Sequence, residues 1–303
     1  MRIRILVSIA IGICSGTMTW FLLARLGLGA ADFNWAYDAA RDLVAHRNPY
    51  AATIPGIIPY PLPAALFAIP FSWLSRGIAA GAFFGTSSAL LAFGLTKDGF
   101  RRLLVFFAYP YWAALITAQW TPLLAASACF QLLLPLTLVK PHIGIPVAGI
   151  NLSRRGLLLS AIVLAASFLF LPSWLREWTS QLSAYQHFYP ILVFPGALLA
   201  LALLRYRERD AQLLILAAIV PQRWFYDQFT LFLIPKSRRE LVYTTGLSWI
   251  PGIWRWLHTP RTMSEVGLWA VLWLFLPMLA VVLLRRTSKE TTANFPLNCP
   301  PSR

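Results

Sequence analysis

The sequence predicts an all-α membrane protein that crosses the bilayer many times, and three observations support this fold class. The 303 residues are 58% hydrophobic and 12% charged, whereas soluble domains carry roughly 25% charged residues. Mean hydropathy is +0.63. The apolar runs are continuous, unlike the alternating segments of about ten residues that are typical of membrane β-barrels. We therefore expect about nine to twelve membrane helices in one domain over residues 1–285.

The charged and potential metal-binding residues exclude two functional classes. The net charge of +15 comes from basic clusters between apolar runs, which is the pattern that holds cytoplasmic loops against anionic lipids. This clustering predicts that the protein contacts membrane lipids and does not bind nucleic acid. The three cysteines and four histidines have no metal-ligand or disulfide spacing, so no metal and no cofactor are expected. The basic clusters are Arg2 and Arg4, Arg101 and Arg102, Arg154 and Arg155, and residues 205–209, 236–239 and 285–289.

The first apolar run and the polar loop after it form the most informative part of the chain. Residues 5–26 are long enough to span, and Arg2 and Arg4 predict that they run from the cytoplasm outwards. Apolar residues at helical spacing after Asp32 then predict a short amphipathic helix on the outer membrane surface. Asn48-Pro49 ends this helix.

Further apolar runs complete the predicted bundle. Residues 60–75 are apolar, short and rich in proline, so they form either a kinked span or a re-entrant segment. Residues 173–189 are polar and aromatic and are expected outside, and residues 286–303 are expected to be a disordered cytoplasmic tail. The other apolar runs cover residues 77–95, 103–117, 120–139, 141–151, 156–171, 191–204, 211–220, 225–234, 241–256 and 266–284.

Asp32 is the leading candidate for chemistry. A carboxylate just beyond the first span can act as a general base toward a hydroxyl of a lipid or glycan acceptor, or it can cap the surface helix. Asp38, Arg41 and Asp42 lie one turn apart and can pair with one another on a solvated face. Arg47, with its neighbour His46, lies at the helix end, where a cation suits the helix dipole or meets a phosphate.

This polar loop resembles a known enzyme family. Residues 32–50, DFNWAYDAARDLVAHRNPY, and residues 60–71, YPLPAALFAIPF, resemble the first external loop and second span of glycosyltransferase family 87. Members of that family are multi-spanning GT-C enzymes that use polyprenyl-phosphate-mannose or a similar donor. His46 and Arg47 replace the usual glycines, and Leu62 splits a proline pair. The matching residues are Asp32, Tyr37, Ala40, Leu43, Asn48, Pro49, Tyr50, Tyr60, Pro61, Pro63 and Pro70.

Three later segments are similar to further motifs of the same family, in the same order. AQWTPLLAAS at residues 118–127 is similar to its G-Q-x-N/S turn, with Ala118 in place of glycine. LVKPHIGIP at residues 138–146 is similar to its K-P element. PQRWFYDQFTLFLIP at residues 221–235 is similar to a later turn. The resemblance therefore covers roughly residues 32–235, and the order of the four motifs makes it more specific than any one of them.

The resemblance implies an inverting transfer of a hexose, mannose in the family's type, from a polyprenyl phosphate to a lipid or glycan acceptor. The reaction would take place on the outer side of the cytoplasmic membrane, with Asp32 as the base. Lys140 is alternatively a cytoplasmic orientation signal, and Asp227 can simply pair with Arg223 four residues earlier. The residues expected to hold the donor phosphate are Arg223, His142, Lys140 and Arg47, and those expected to hold the substrate are Gln119, Asp227, Tyr60 and Trp35.

Two other functions fit the same sequence. A transporter or flippase for a lipid-linked or polar solute would line its path with Asp227, Arg223 and Lys140, because ionisable residues in apolar segments usually serve function. No repeat between the two halves of the chain supports this alternative. A non-catalytic assembly protein is the third possibility.

Overall fold

The computed structural model describes residues 1–27, 31–51 and 59–285, and the regular structure in these ranges is helical. Within them the only β pairing is an isolated antiparallel bridge between Phe188 and Gln222, so the all-α prediction is confirmed. The predicted cytoplasmic tail lies outside the described residues. The α-helices are α1 (Arg2–Leu26), α2 (Ala31–Val44), α3 (Leu62–Ala68), α4 (Arg76–Leu95), α5 (Tyr109–Thr117), α6 (Thr121–Ser127), α7 (Pro141–Ile150), α8 (Arg154–Phe170), α9 (Trp174–Ser180), α10 (Arg209–Ile219), α11 (Arg238–Leu257), α12 (Met263–Ala270) and α13 (Leu276–Leu284).

Short helical segments of other geometry connect these helices. The longer 3₁₀ segments continue the predicted apolar runs at residues where proline or a tight turn interrupts an α-helix. A π-helical turn, Val271–Phe275, joins α12 to α13, which together form one continuous rod. The 3₁₀ segments of seven or more residues are Phe100–Phe107, Gln131–Val139, Gly196–Arg205 and Asp227–Leu233.

Three helical segments are long and apolar enough to cross a membrane: Arg2–Leu26, Arg76–Leu95 and Met263–Leu284. A fourth is obtained if α8 and α9, bent by 89° at their junction, count as one span. Helix α11 has 20 residues but is not apolar enough to count as a span. The other described helices are shorter than the roughly 20 residues that a straight span needs. The expected number of nine to twelve spans therefore stays a prediction.

Helices α1 and α4 form the closest helix pair, and small residues make this possible. Gly12 and Gly16 of α1 face Gly85 and Gly81 of α4, where a Cβ atom on Gly16 would lie 2.6 Å from the carbonyl oxygen of Gly81. The two helices run antiparallel, since the start of α1 reaches the end of α4: the Arg4 guanidinium donates to the carbonyl oxygen of residue 93 at 2.8 Å. Close backbone contact of this kind is typical of helix pairs in membranes.

Helix α2 confirms the predicted amphipathic helix but corrects its surroundings. Its apolar side is buried against α3 and α4 inside the protein, and the Phe33 ring stacks on Phe83 with centroids 4.4 Å apart. The apolar side of α2 is therefore covered by protein. It begins at Ala31, so Asp32 is in its first turn and is not the N-cap.

The proline-rich segment at residues 60–75 starts and ends beside α2. The Tyr60 hydroxyl reaches Asp32 near the start of α2, and the Tyr37 hydroxyl of α2 donates to the carbonyl oxygen of Leu74. Arg76 then forms a salt bridge with Asp38 at 2.7 Å. Both ends thus contact the same helix within two turns. The choice between a kinked span and a re-entrant segment stays a prediction.

The ends of several helices gather basic residues at one end of the bundle. Arg285, after α13, donates to the carbonyl oxygen of Ile234 and to Glu240 in the first turn of α11. Arg102 donates to the carbonyl oxygen of Leu233. Helix α2 lies beyond the far end of α1. We call the opposite end of the bundle, where α1 begins, the basic end, and we define it by Arg4, Arg102, Arg205, Lys236 and Arg285.

Candidate functional site

A cavity of about 1000 Å³ lies at the end of the bundle that holds α2. It is lined by α2, by the start of the proline-rich segment at residues 60–75, by α5, by the start of α7 and by the last turn of α11. Residues 178–187 and the turn at residues 220–226 complete the wall. The segments that the sequence analysis selected as separate motifs therefore meet around one space. The predicted site residues among the lining are Asp32, Trp35, Tyr60, Lys140, His142 and Arg223.

Asp32 is held at the cavity wall by a chain of tyrosines. The Tyr60 hydroxyl donates to Asp32 Oδ1 at 2.8 Å, and the Tyr50 hydroxyl donates to the carbonyl oxygen of Tyr60 at 2.8 Å. Trp35, one turn after Asp32, packs against both tyrosine rings, with centroids 5.5 and 6.1 Å away. The Asp32 carboxylate is therefore fixed in place while it remains exposed to the cavity.

The surroundings also set the basicity of Asp32. Burial raises the pKa of its carboxyl group above the ordinary value, and this effect outweighs the opposing charge of Lys140 and the hydrogen bond from Tyr60. A carboxylate with a raised pKa accepts a proton more readily than a free one. The position, the fixed geometry and the raised pKa together suit a general base.

A buried ion pair forms the floor next to Asp32. Lys140 Nζ lies 2.7 Å from Asp227 Oδ1 and donates to Gln119 Oε1 at 3.1 Å. The side chains of Lys140 and Asp227 are 5% and 0% exposed. His142 Nε2 lies 3.7 Å from Asp227 Oδ2 and 2.8 Å from the hydroxyl of Tyr185. Four separate parts of the sequence, at Gln119, at Lys140 and His142, at Tyr185 and at Asp227, thus form one polar network.

The network bears on two alternatives from the sequence. Lys140 lines the cavity, and its alternative role as a cytoplasmic orientation signal stays a prediction. Asp227 pairs with Lys140, and its contact with Arg223 is to the backbone N–H at 3.0 Å rather than to the guanidinium. Gln119 and Asp227 hold Lys140 from behind and do not line the cavity themselves.

Local backbone features explain how these residues reach the site. Ala118 adopts a left-handed conformation with φ of 48° after α5, which turns the chain and buries Gln119. Pro141 begins α7 and leaves Lys140 as the preceding residue, because proline is favoured in the first helical turn. Asp227 is the first residue of the 3₁₀ segment Asp227–Leu233, and it directly follows the turn at residues 220–226 that lines the cavity.

Arg223 offers a positive charge to the cavity. Its guanidinium lies 5.1 Å from the centroid of the Tyr185 ring, a cation–π arrangement. Its Nε atom is buried and has no hydrogen-bond partner among the described residues. A buried donor without a partner is costly, so this atom marks a position where a ligand oxygen would be favourable.

Other polar residues of α2, and Arg47 just after it, lie outside the site. Arg47 forms a salt bridge with Asp42 at 2.7 Å, its side chain is 68% exposed, and it does not line the cavity. Asp38 pairs with Arg76, so the expected pairing among Asp38, Arg41 and Asp42 does not form. The structure therefore does not bring Arg47 to the other predicted phosphate ligands.

Several residues that line the cavity were not predicted from the sequence. Tyr185 and Trp178 come from the polar aromatic segment that was expected outside, and nothing in their local sequence distinguishes them. Arg255 was hidden within an apolar run of α11. A single cation in such a run is a signal that could have identified it.

The described residues contain no group of three metal-ligating side chains that could hold an ion. Comparison of the chain with protein families, curated proteins and solved structures gives no match. The functional assignment therefore depends on the cavity and on the residues that line it.

Proposed function

We propose that this chain is a multi-pass membrane glycosyltransferase of GT-C type, which moves a hexose from a polyprenyl phosphate to a lipid or glycan acceptor. One observation carries this proposal: the fixed Asp32 carboxylate lines the same aromatic cavity as the Arg223 guanidinium, whose buried Nε has no hydrogen-bond partner among the described residues. A transferase needs these two groups together, a base for the acceptor and a cation for the departing phosphate.

In the proposed reaction Asp32 removes the proton of an acceptor hydroxyl while that oxygen attacks the anomeric carbon of the sugar. The bond from the anomeric carbon to the phosphate oxygen breaks, and its electron pair stays on the polyprenyl phosphate. The proton ends on Asp32 and the new glycosidic bond has the inverted configuration, because attack is opposite to the leaving group. General-base assistance of this kind typically contributes about 10²–10⁴-fold in rate.

The leaving phosphate gains negative charge, and cations and hydrogen-bond donors stabilise it best when they are already in place. Arg223 supplies a planar guanidinium that binds phosphate through two N–H groups. The Tyr185 hydroxyl and His142 lie beside it and supply further polar contacts. Lys140 is already matched by Asp227, so we assign this pair to fixing the site rather than to binding the donor.

The aromatic wall supports binding of a sugar ring, since flat apolar faces with polar edges match its alternating surface. Trp35 and Tyr60 stand beside Asp32, and Tyr226 lies under Lys140, whose Nζ is 4.9 Å from the ring centroid. Gln119 and Asp227 act through Lys140 and are positioning residues in this scheme.

The charge distribution supports a site on the outer side of the cytoplasmic membrane. The basic end and the cavity lie at opposite ends of α1, which is long enough to span. Basic residues near membrane helices favour the cytoplasmic face. In this arrangement the nine to twelve passes of the GT-C class would include the short helical segments that pack inside the bundle.

The test is sugar transfer by purified protein in proteoliposomes, with labelled polyprenyl-phosphate hexoses as donors and lipid and glycan acceptors. Wild-type protein should form a product of inverted anomeric configuration, and Asp32→Asn should lose this activity. Full transfer by the variant would exclude Asp32 as the base.

A transporter is the second candidate, because buried charged residues such as Lys140 and Asp227 also line the paths of solutes through membrane proteins. The same proteoliposomes separate the two functions. Uptake of the labelled lipid-linked solute, without transfer from any donor, would replace the glycosyltransferase by the transporter.

A further inference from the structure

Arg255 is a second arginine of the cavity, and it lies apart from Arg223. It is in the last turn of α11, with its guanidinium 5.4 Å from the centroid of the Trp224 ring. Arg223 instead stacks on Tyr185 and acts electrostatically on Asp32, whereas Arg255 acts on Tyr109. The two guanidinium groups therefore serve different parts of the cavity.

The charges around the cavity leave Arg255 uncompensated. Among the described side chains Arg255 has no salt bridge, and its guanidinium donates only to the carbonyl oxygen of His258 at 3.2 Å. Lys140 is matched by Asp227. Of the two guanidinium groups in the lining, Arg223 acts electrostatically on the Asp32 carboxylate and faces the proposed donor phosphate. Arg255 has no acidic partner among the described residues and remains available for a different anion.

The surroundings of Arg255 indicate where this anion comes from. Tyr109 packs edge-on against the Trp256 ring, and Trp254 stacks on Trp269 with centroids 4.9 Å apart. Trp256 is 65% exposed at the end of α11. Exposed tryptophans in such clusters favour the level of the lipid headgroups. A guanidinium at this level meets phosphates that belong to lipids.

We propose that Arg255, supported by the Trp224 ring, forms a second anion subsite that binds the headgroup phosphate of an anionic lipid. On the proposed function, this lipid is the acceptor, and a hydroxyl of its headgroup reaches Asp32. The lipid binding itself does not depend on that function. Phosphatidylglycerol is a suitable probe, because its headgroup has both a phosphate and free hydroxyls.

Binding of phosphatidylglycerol and of phosphatidylcholine to detergent-purified protein is measured by native mass spectrometry, without donor. Arg255→Gln should weaken phosphatidylglycerol binding about tenfold, as expected for loss of one charge-assisted contact, and leave phosphatidylcholine binding unchanged. Arg255→Lys keeps the charge and should retain part of the preference. Arg261→Gln removes an exposed arginine just beyond α11 that does not line the cavity, and it should have no effect.

Equal binding of both lipids by wild-type protein, or an undiminished preference in Arg255→Gln, would overturn the subsite. An equal loss of phosphatidylglycerol binding in Arg261→Gln would overturn the subsite as well, because it would show that any positive surface charge gives the preference. Displacement of the lipid by an equal concentration of inorganic phosphate would show that the subsite binds free phosphate, and it would overturn a lipid as the source of the anion.

The transfer assay separates this inference from the proposed function. Arg255→Gln should raise KM for a phosphatidylglycerol acceptor about tenfold and leave KM for the donor unchanged. An unchanged acceptor KM would overturn the acceptor role. If wild-type protein transfers no sugar while the lipid preference still depends on Arg255, the proposed function fails and the anion subsite stands.

Discussion

The two ends of the bundle treat charged side chains in opposite ways. At the basic end, Arg285 joins Asp210 and Glu240, and Lys236 reaches Asp210 with its side chain 53% exposed. At the cavity end, Lys140 and Asp227 are almost completely buried. There the guanidinium groups of Arg223 and Arg255 stack on aromatic rings and face the cavity.

This difference separates residues that hold the fold from residues that serve a ligand. Water reaches the cations of the basic end more than it reaches Lys140, because the side chains of Lys236 and Arg285 are 53% and 22% exposed. This screening weakens their ion pairs, so these pairs need only connect helix ends. Burying a charge costs several kcal/mol unless a partner offsets it. Charges in such positions are usually present for function, so the charged residues around the cavity are the ones that we expect to serve a ligand.

The largest expected effect separates two carboxylates of the same helix. Asp32→Asn should lower sugar transfer by about 10²–10⁴-fold, because the acceptor loses its base. Asp38→Asn, which removes only the exposed partner of Arg76, is the matched control and should keep the wild-type rate. Equal losses in both variants would show that α2 contributes structure and not a base.

The next prediction compares one carboxylate from each end of the bundle. Asp227→Asn should lower the free energy of unfolding by about 3–5 kcal/mol, since it leaves the buried Lys140 unpaired. Asp210→Asn at the basic end should cost less, because water reaches the two cations that it leaves, Lys236 and Arg285. Denaturant unfolding of detergent-purified protein measures both.

A double variant tests the cause of that loss. Lys140→Met combined with Asp227→Leu removes the unpaired charge and should recover most of the stability. If the double variant is as unstable as Asp227→Asn alone, the buried pair is not the reason for the loss.

The third prediction compares an arginine in the cavity with one outside it. Arg223→Gln should raise KM for the donor about tenfold, because a charge-assisted contact to phosphate is lost. Arg47→Gln should leave this KM unchanged, since Arg47 is exposed and pairs with Asp42. A comparable rise in the Arg47 variant would return Arg47 to the phosphate site that the sequence predicts.

The smallest expected effect concerns stability and pH. Burial raises the pKa of Asp32 in the folded protein, so its favourable contribution is present at low pH and is lost as pH rises through the folded pKa. Asp32→Asn should therefore be slightly more stable than wild type at neutral pH, with the difference shrinking as the solution becomes acidic. Unfolding temperatures across this pH range provide the measurement, and an Asn variant that is less stable at pH 7 would contradict it.

Much of the helical architecture was predictable because it depends on near neighbours. The apolar period after Asp32 predicted α2, and the continuous apolar runs predicted helices throughout the described residues. What covers the apolar face of α2 was not predictable, because such a face packs equally well against protein and against membrane lipids. Only packing against Phe83 and α3 places it inside the bundle.

The sequence by itself determined the helical class, the clustering of basic residues and the polar loop around Asp32. Composition and short periods contain this information, since hydropathy and helix geometry act over one or two turns. The tertiary structure decided that Lys140 partners Asp227, 87 residues away, and that Arg255 reaches the same cavity. Such contacts depend on how the helices pack, and no local pattern specifies which buried charges will meet.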